Sequence, residues 1–274
     1  FTCSDVGVNL VTLAMVDFPP YPGIEGTSDY SECVSAVTVS DATAPTALCQ
    51  DVTLQLNASG TAILTASQID NGSNDNCGNG ATMVSPDNFD CNHIGSNVVT
   101  LTVSDDAGNN GICTATALVE DNILPIAVCT DITVALDGSG NAAVTPADVD
   151  NGSNDNCGIQ SATVTPNTFT CTEKGDNIVT YSILDFGGNS DACNATVTIV
   201  DDLAPVVLCQ NVTTQLNASG MAMVLPGDVD NGSYDNCSIS SLVLSQEVFD
   251  CGHLGENGVV LSAADISGLS LIHI

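Results

Sequence analysis

The chain has 274 residues, and its 33 Asp and Glu stand against a single basic residue, Lys174, for a formal net charge of −32. Nucleic acid is thereby excluded as a partner, because binding it needs Lys and Arg to neutralise phosphates, and docking on an anionic membrane surface is disfavoured. A chain this acidic repels itself unless counter-ions sit in it, so divalent cations are expected partners; the plainer alternative is that the acids keep a sticky β array soluble.

In chain order, the first forty-odd residues read as the second half of a repeat. FTCSDVGVNLVTL (Phe1 to Leu13) matches FTCTEKGDNIVTY (Phe169 to Tyr181), and CVSAVTVSD from Cys33 matches CNATVTIVD from Cys193. Pro45, Pro125 and Pro205 then open equivalent units about eighty residues apart. A fixed period of this kind marks tandem architecture. The expected domains are 1–44 (half a repeat with a Pro- and Tyr-rich insertion), 45–124, 125–204, and an incomplete 205–274. Within a unit, DITVAL, SATVTP, NIVTYSIL and NATVTIV are short, rich in β-branched residues and alternating in polarity, which is how half-buried strands read. DGSG or NASG, DNGS, and DDAGN or DFGGN supply the turns between them. No window keeps a helical period. The expected fold class is all-β: tandem immunoglobulin-like sandwiches in an extended, disulfide-stapled array. His273 falls where the last unit should carry its fourth cysteine, so the chain is expected to be cut from something longer.

Thirteen cysteines at regular spacing, without a CxxC pair, point to disulfides and an oxidising, extracellular location. Zinc fits poorly, since His93, His253 and His273 do not recur in step with the cysteines. The favoured pairing has local staples, Cys77–Cys91 and Cys157–Cys171 (with Cys237 and Cys251 in the same register), and ties from first strand to last, Cys49–Cys113 and Cys129–Cys193. A rival pairing, Cys49–Cys77 with Cys91–Cys113, would let Cys3 bond Cys33. Spacing leaves both open.

An AP-x-x-x-C opening, D-N-C in the middle, then N-x-V-T-x-x-x-x-D-x-x-G-N and C-x-A-x-V-x-V-x-D resemble the hyalin-repeat family, in the tandem form of very large secreted or surface proteins of Bacteroidota. The resemblance spans nearly the whole chain; the insertion near the start and the tail Gly268 to Ile274 depart from it. It implies an immunoglobulin-like fold, a role in adhesion or extracellular scaffolding, and no catalytic residues to carry over.

The thrice-repeated DNGSxDNC supplies the first candidate site. Asp148, Asp150, Ser153 and Asp155 could offer alternate oxygens to calcium around a Gly turn, as could Asp70, Ser73 and Asp75, or Asp228, Asp230, Ser233 and Asp235. Equally, these residues are ordinary turn formers that need no metal. A second acidic set lies at the junctions: Asp41, Glu120 and Asp121, Asp201 and Asp202. An ion there would stiffen the joints, although the prolines alone restrict them. Sequons at Asn71, Asn151 and Asn231 fall in register, with others at Asn57, Asn194, Asn211, Asn217 and Asn236, so glycosylation is expected at some. The insertion Asp17 to Tyr30 places Phe18, Tyr21 and Tyr30 among prolines as a contact site for a neighbouring chain or a glycan, or as a tolerated loop. No nucleophile motif, phosphate loop or recurring Ser, His and Asp set appears; the hairpin acids Asp105 and Asp106 read as solvated, and no enzyme activity is expected.

Together these features predict an extracellular structural or adhesive protein whose repeats form a rod or filament with copies of itself, without membrane insertion. One version has the strand Cys33 to Asp41 completing the last unit of the next copy, so that Cys33 meets Cys209. The alternative is a passive stalk, or a carbohydrate- or surface-binding module, of a larger secreted adhesin.

Overall fold

The computed structural model describes residues 1–16 and 30–273, so Phe18 and Tyr21 of the insertion, and the side chain of Tyr30, lie outside the described residues. The chain divides into two compact units, Phe1–Ile123 and Leu124–Ile274.

In the first unit β1 (Gly7–Val16) and β2 (Tyr30–Val39) form an antiparallel hairpin of their own. There follow β3 (Val52–Gln55), β4 (Thr61–Ile63), the one-turn helix α1 (Ala66–Ile69), β5 (Asn79–Ser85), β6 (Asn88–Asp90), β7 (Gly95–Asp105) and β8 (Asn110–Glu120). One sheet has the order β3-β8-β7-β5, with β3 parallel to β8 and the rest antiparallel; β4 and β6 form a second, two-stranded sheet. Leu64, Ile69, Phe89, Val99, Leu101, Val103, Ala117 and Val119 are buried between the layers. At about 1.5–3 kcal/mol for each large apolar side chain, this burial is the main force holding the sandwich.

The second unit repeats the plan. β9 (Ile132–Ala135), β10 (Asn141–Ala143), α2 (Pro146–Val149), β11 (Ile159–Thr165), β12 (Thr168–Thr170), β13 (Gly175–Asp185) and β14 (Ser190–Val200) give the sheet β11-β13-β14-β9 and the pair β10-β12. β15 (Met221–Met223), α3 (Pro226–Val229), β16 (Ile239–Leu244), β17 (Val248–Asp250), β18 (Leu261–Asp265) and β19 (Ser270–His273) give β16-β18-β19 and β15-β17. Residues 211–216, equivalent to β3 and β9, carry no strand. In the two preceding repeats the corresponding strand pairs with the last four residues of β8 or β14. Separate clusters fill the two sandwiches, one around Phe169, Val179, Tyr181 and Ile183 and one around Val229, Phe249 and Leu261.

The all-β, disulfide-bonded architecture matches the sequence expectation, but the local cysteine staples do not form. Cys49 bonds Cys113 and Cys129 bonds Cys193, tying the segment just ahead of β3 to β8 and that ahead of β9 to β14. Cys77, however, bonds Cys3 of the preceding half-repeat, and Cys171 bonds Cys237 of the following repeat. Cys91 and Cys157 are also disulfide-bonded. The reason is placement. Cys77 and Cys237 each lie at the end of their sandwich facing the repeat before them in the same unit. Cys171 follows β12 on a 3-10 turn at the far end of its own, where its Sγ lies 3.7 Å from Gly140 O and 3.6 Å from Asn236 O of the next repeat. The rival pairing fails for the same reason. Cys33, Cys209 and Cys251 are free. The residue that pairs with Leu261 in the register is His273, where Leu101 and Tyr181 meet Cys113 and Cys193, which leaves Cys209 without the cysteine that its equivalents bond.

Candidate functional site: carboxylates at the joints

The repeated DxDNGSxD loop is divided among several structural roles. Asp148 closes the first turn of α2, its Oδ2 accepting from Thr145 N at 2.7 Å and Thr145 Oγ1 at 2.6 Å. Asp228 caps α3 through Leu225 N at 2.8 Å. Such capping satisfies amide groups that a helix cannot. Asp70, Asp150 and Asp230 each accept from the amide of the Ser three residues on, at 2.9, 3.0 and 2.9 Å. Ser73, Ser153 and Ser233 in turn receive the amides of Leu48, Val128 and Leu208 at 3.0, 2.9 and 3.0 Å. This is an Asx-turn pinned to the opening strand, and hydrogen bonds led by the serine hydroxyl hold these three carboxyls below their ordinary range. The loop therefore does not gather its acids around one ion.

Asp75 and Asp235 point elsewhere. Asp235 converges with Asp201, from the end of the preceding repeat, and with Asp265, the last residue of β18; one ligand oxygen from each lies within 4.8 Å of the others. Asp41, Asp75 and Asp105 make the same constellation in the first unit. Asp155 Oδ2 accepts from Cys157 N at 2.8 Å, as Asp75 and Asp235 do from Cys77 N and Cys237 N. Of the junction acids, Asp121 accepts from Ile123 N at 3.2 Å, Glu120 pairs with Gln55 Nε2 at 2.7 Å, and Asp202 is exposed. Glu120 and Asp202 thus stand apart from the acidic clusters.

Asp105, Asp185 and Asp265 are not solvated turn residues. The alternation that buries Val99, Leu101 and Val103 continues one step to Asp105, at 7% exposure, and the same step carries Asp185 to 0% and Asp265 to 2%. Asp106, one step on, is exposed. The signal was present in the strand period, which runs into the turn. Asp105 accepts the amide and side-chain nitrogen of Asn109, both at 2.8 Å, and the side-chain bond leads in holding its carboxyl below the usual range. Asp185 accepts the amide and side-chain nitrogen of Asn189, at 2.7 and 2.9 Å. In the last repeat Leu269 replaces that Asn. Asp265 Oδ1 accepts from Ser267 N and Leu269 N, both at 2.8 Å, while its buried Oδ2 has no donor.

Two more oxygens around Asp201 share that condition, Asp235 Oδ1 and Asn236 Oδ1, both buried and without a hydrogen-bond partner. Asn236 directs its nitrogen to Asp201 Oδ1 at 3.1 Å and Asp137 O at 3.2 Å. In the first unit Asn76 similarly approaches Asp41 at 3.4 and 3.5 Å. Turned over, its amide would donate to Asp75 Oδ1 at 3.1 Å and Oδ2 at 3.3 Å. As placed, the amide oxygen faces a carboxylate. Converging acceptors without donors are costly, since a buried unpaired polar group costs about 1–3 kcal/mol. Like charges 4 Å apart repel by about 4 kcal/mol at an effective dielectric of 20. A cation among them reverses both terms. The donor set is all oxygen, without His or Cys, which suits a hard divalent ion such as calcium.

The sequon asparagines Asn57, Asn71, Asn151, Asn194, Asn211, Asn217 and Asn231 are exposed, whereas Asn236 belongs to the cluster. Among the described residues no helix is long and apolar enough to cross a membrane. No protein-family model matches the chain, and no curated protein matches it. Among solved structures it is similar to protocadherin gamma B7 extracellular cadherin domains 1-4 (13% identity over 99% of this chain and 83% of that one, TM-score 0.32). A protocadherin gammaB7 EC3-6 cis-dimer structure gives 15%, 97%, 83% and 0.31, and the human desmocollin-1 ectodomain 10%, 97%, 64% and 0.28.

Proposed function

We propose that the protein is an extracellular structural or adhesive array of β-sandwich repeats whose joints are tied twice, by a disulfide and by calcium held between carboxylates. The observation that carries this reading is the Asp201, Asp235 and Asp265 cluster, with Asp235 Oδ1, Asn236 Oδ1 and Asp265 Oδ2 buried and lacking donors. Asp201 belongs to the end of one repeat and the other three groups to the next, so an ion there holds both. The D-N-C motif supplies Asp235 and Asn236 as ligands, while Cys237 bonds Cys171 of the preceding repeat. Ligand and staple thus share three consecutive residues.

The disulfides fit an oxidising compartment, and the hyalin-repeat resemblance fits scaffolding or adhesion. Calcium-reinforced self-association into filaments is part of the same reading, with the exposed sequon asparagines open to glycans. Electron microscopy of the native secreted material before and after EDTA tests it. Ordered filaments that soften or disperse in EDTA are expected. Single strings unchanged by EDTA would favour a passive stalk.

A further inference from the structure

The one basic side chain of the molecule stands beside one of these clusters. Lys174 follows the 3-10 turn Cys171–Glu173, and its Nζ donates to Ser267 Oγ at 2.8 Å. Ser267 Oγ donates in turn to Asp201 Oδ2 at 2.8 Å. The direction is fixed by chemistry: an ammonium only donates, so the hydroxyl accepts from it and its own proton goes to the carboxylate. The repeat register places Val6 and Ala107 at the corresponding positions of the first unit, neither able to donate from its side chain. The polar pair is thus confined to one joint, and its members come from the two repeats that meet there. The same joint has exchanged the Asn109-type partner for Leu269.

We propose that Lys174 sets the strength of its joint: acting through Ser267, it lowers the divalent-cation affinity of the Asp201, Asp235 and Asp265 site below that of the Asp41, Asp75 and Asp105 site. The inference rests on the cation reading of the clusters. Two effects act together. A positive charge two hydrogen bonds from Asp201 repels an incoming divalent ion, and the Ser267 proton occupies an Asp201 oxygen that a cation would otherwise take. Lys174 is a positioning residue in this scheme and not a ligand. The two joints would consequently load at different calcium concentrations, giving an array that stiffens in steps.

The test is a calcium titration of the full chain followed by two-dimensional NMR. The Leu269 amide and the Asn236 side chain report this joint, and the Asn109 amide reports the other. In wild type the Asn109 midpoint is expected at lower calcium. Lys174→Met and Lys174→Gln are each expected to tighten the Leu269 response about tenfold, leave Asn109 unmoved, and lose that advantage as salt is raised, while Lys174→Arg restores the wild-type midpoint. An unchanged or weaker response in Met and Gln variants would overturn the inference while leaving the cation sites standing. The absence of any calcium response at either reporter in wild type would overturn the cation reading itself, and this inference with it.

Discussion

The acids of this chain divide by what faces each carboxyl. Asp70, Asp150 and Asp230 are committed to serine and backbone donors, Asp148 to Thr145, and Glu173 to the hydroxyls of Thr170 and Thr172, with the Thr170 bond the largest cause of a value near 2. Each folded value lies below its unfolded one. The stabilisation is therefore complete above about pH 4–4.5 and is lost as pH falls through the folded values. In saturating calcium, where the converging carboxylates are neutralised, the thermal midpoint is expected to stay level from neutral pH to about 5 and to fall steadily toward pH 2; a midpoint that rises on acidification in that buffer would contradict this assignment. Asp265 is instead one of three converging carboxylates. Asp265→Asn should lower the midpoint in calcium, where a ligand is lost, and raise it in EDTA, where repulsion is relieved. Differential scanning calorimetry in both buffers reads the two signs. At Gly140, φ is +74° and an added Cβ would lie 2.6 Å from Asn236 O and 2.8 Å from Cys171 Sγ, so Gly140→Ala should destabilise the second unit by more than the roughly 1–2 kcal/mol that the left-handed backbone alone costs an L residue. Residue types at this scale were legible in the sequence. Their partners were not, because Asp148 and Asp150 are two residues apart yet serve a helix cap and a turn.

At the scale of elements, alternation decides most of the structure. The residues of β13 in the buried register, Val179, Tyr181 and Ile183, could be read directly from NIVTYSILD, whereas the pairing of Cys49 with Cys113 was one of two that spacing left open. Failure came at the strand ends, where the period carries Asp105 and Asp265 inward although they sit in turn motifs. It came again with Cys77 and Cys91, which are close in sequence but lie at opposite ends of one sandwich. Spacing cannot report that separation; only the fold can. Ile183→Ala should cost about 2–5 kcal/mol in the second unit, measured by urea denaturation. The Cys171–Cys237 bridge spans 66 residues, and in the chain-entropy model a loop of that length is worth about 4 kcal/mol. Its loss by Cys171→Ser with Cys237→Ser should also weaken calcium binding at Asp235 and Asn236, because the bridge anchors the ligand segment. Unchanged affinity in that double variant would separate staple from site.

For the whole molecule, the charge of −32 stands against a set of positions where carboxylates converge. The repeat period was legible in the sequence, and within each unit it brings the end of one repeat, Asp41 or Asp201, against the D-N-C loop of the next. Cation binding would then act as a ligand that selects the folded, jointed state, contributing about 2.7 kcal/mol at a hundredfold excess over Kd for each site. The most direct measurement is calorimetric titration of the chelator-stripped full chain with calcium, beside the Asp235→Asn, Asp265→Asn double variant. Saturable binding in wild type, with the share belonging to that joint lost in the variant, is the result predicted here. No binding in wild type, or binding that the variant leaves intact, would contradict it.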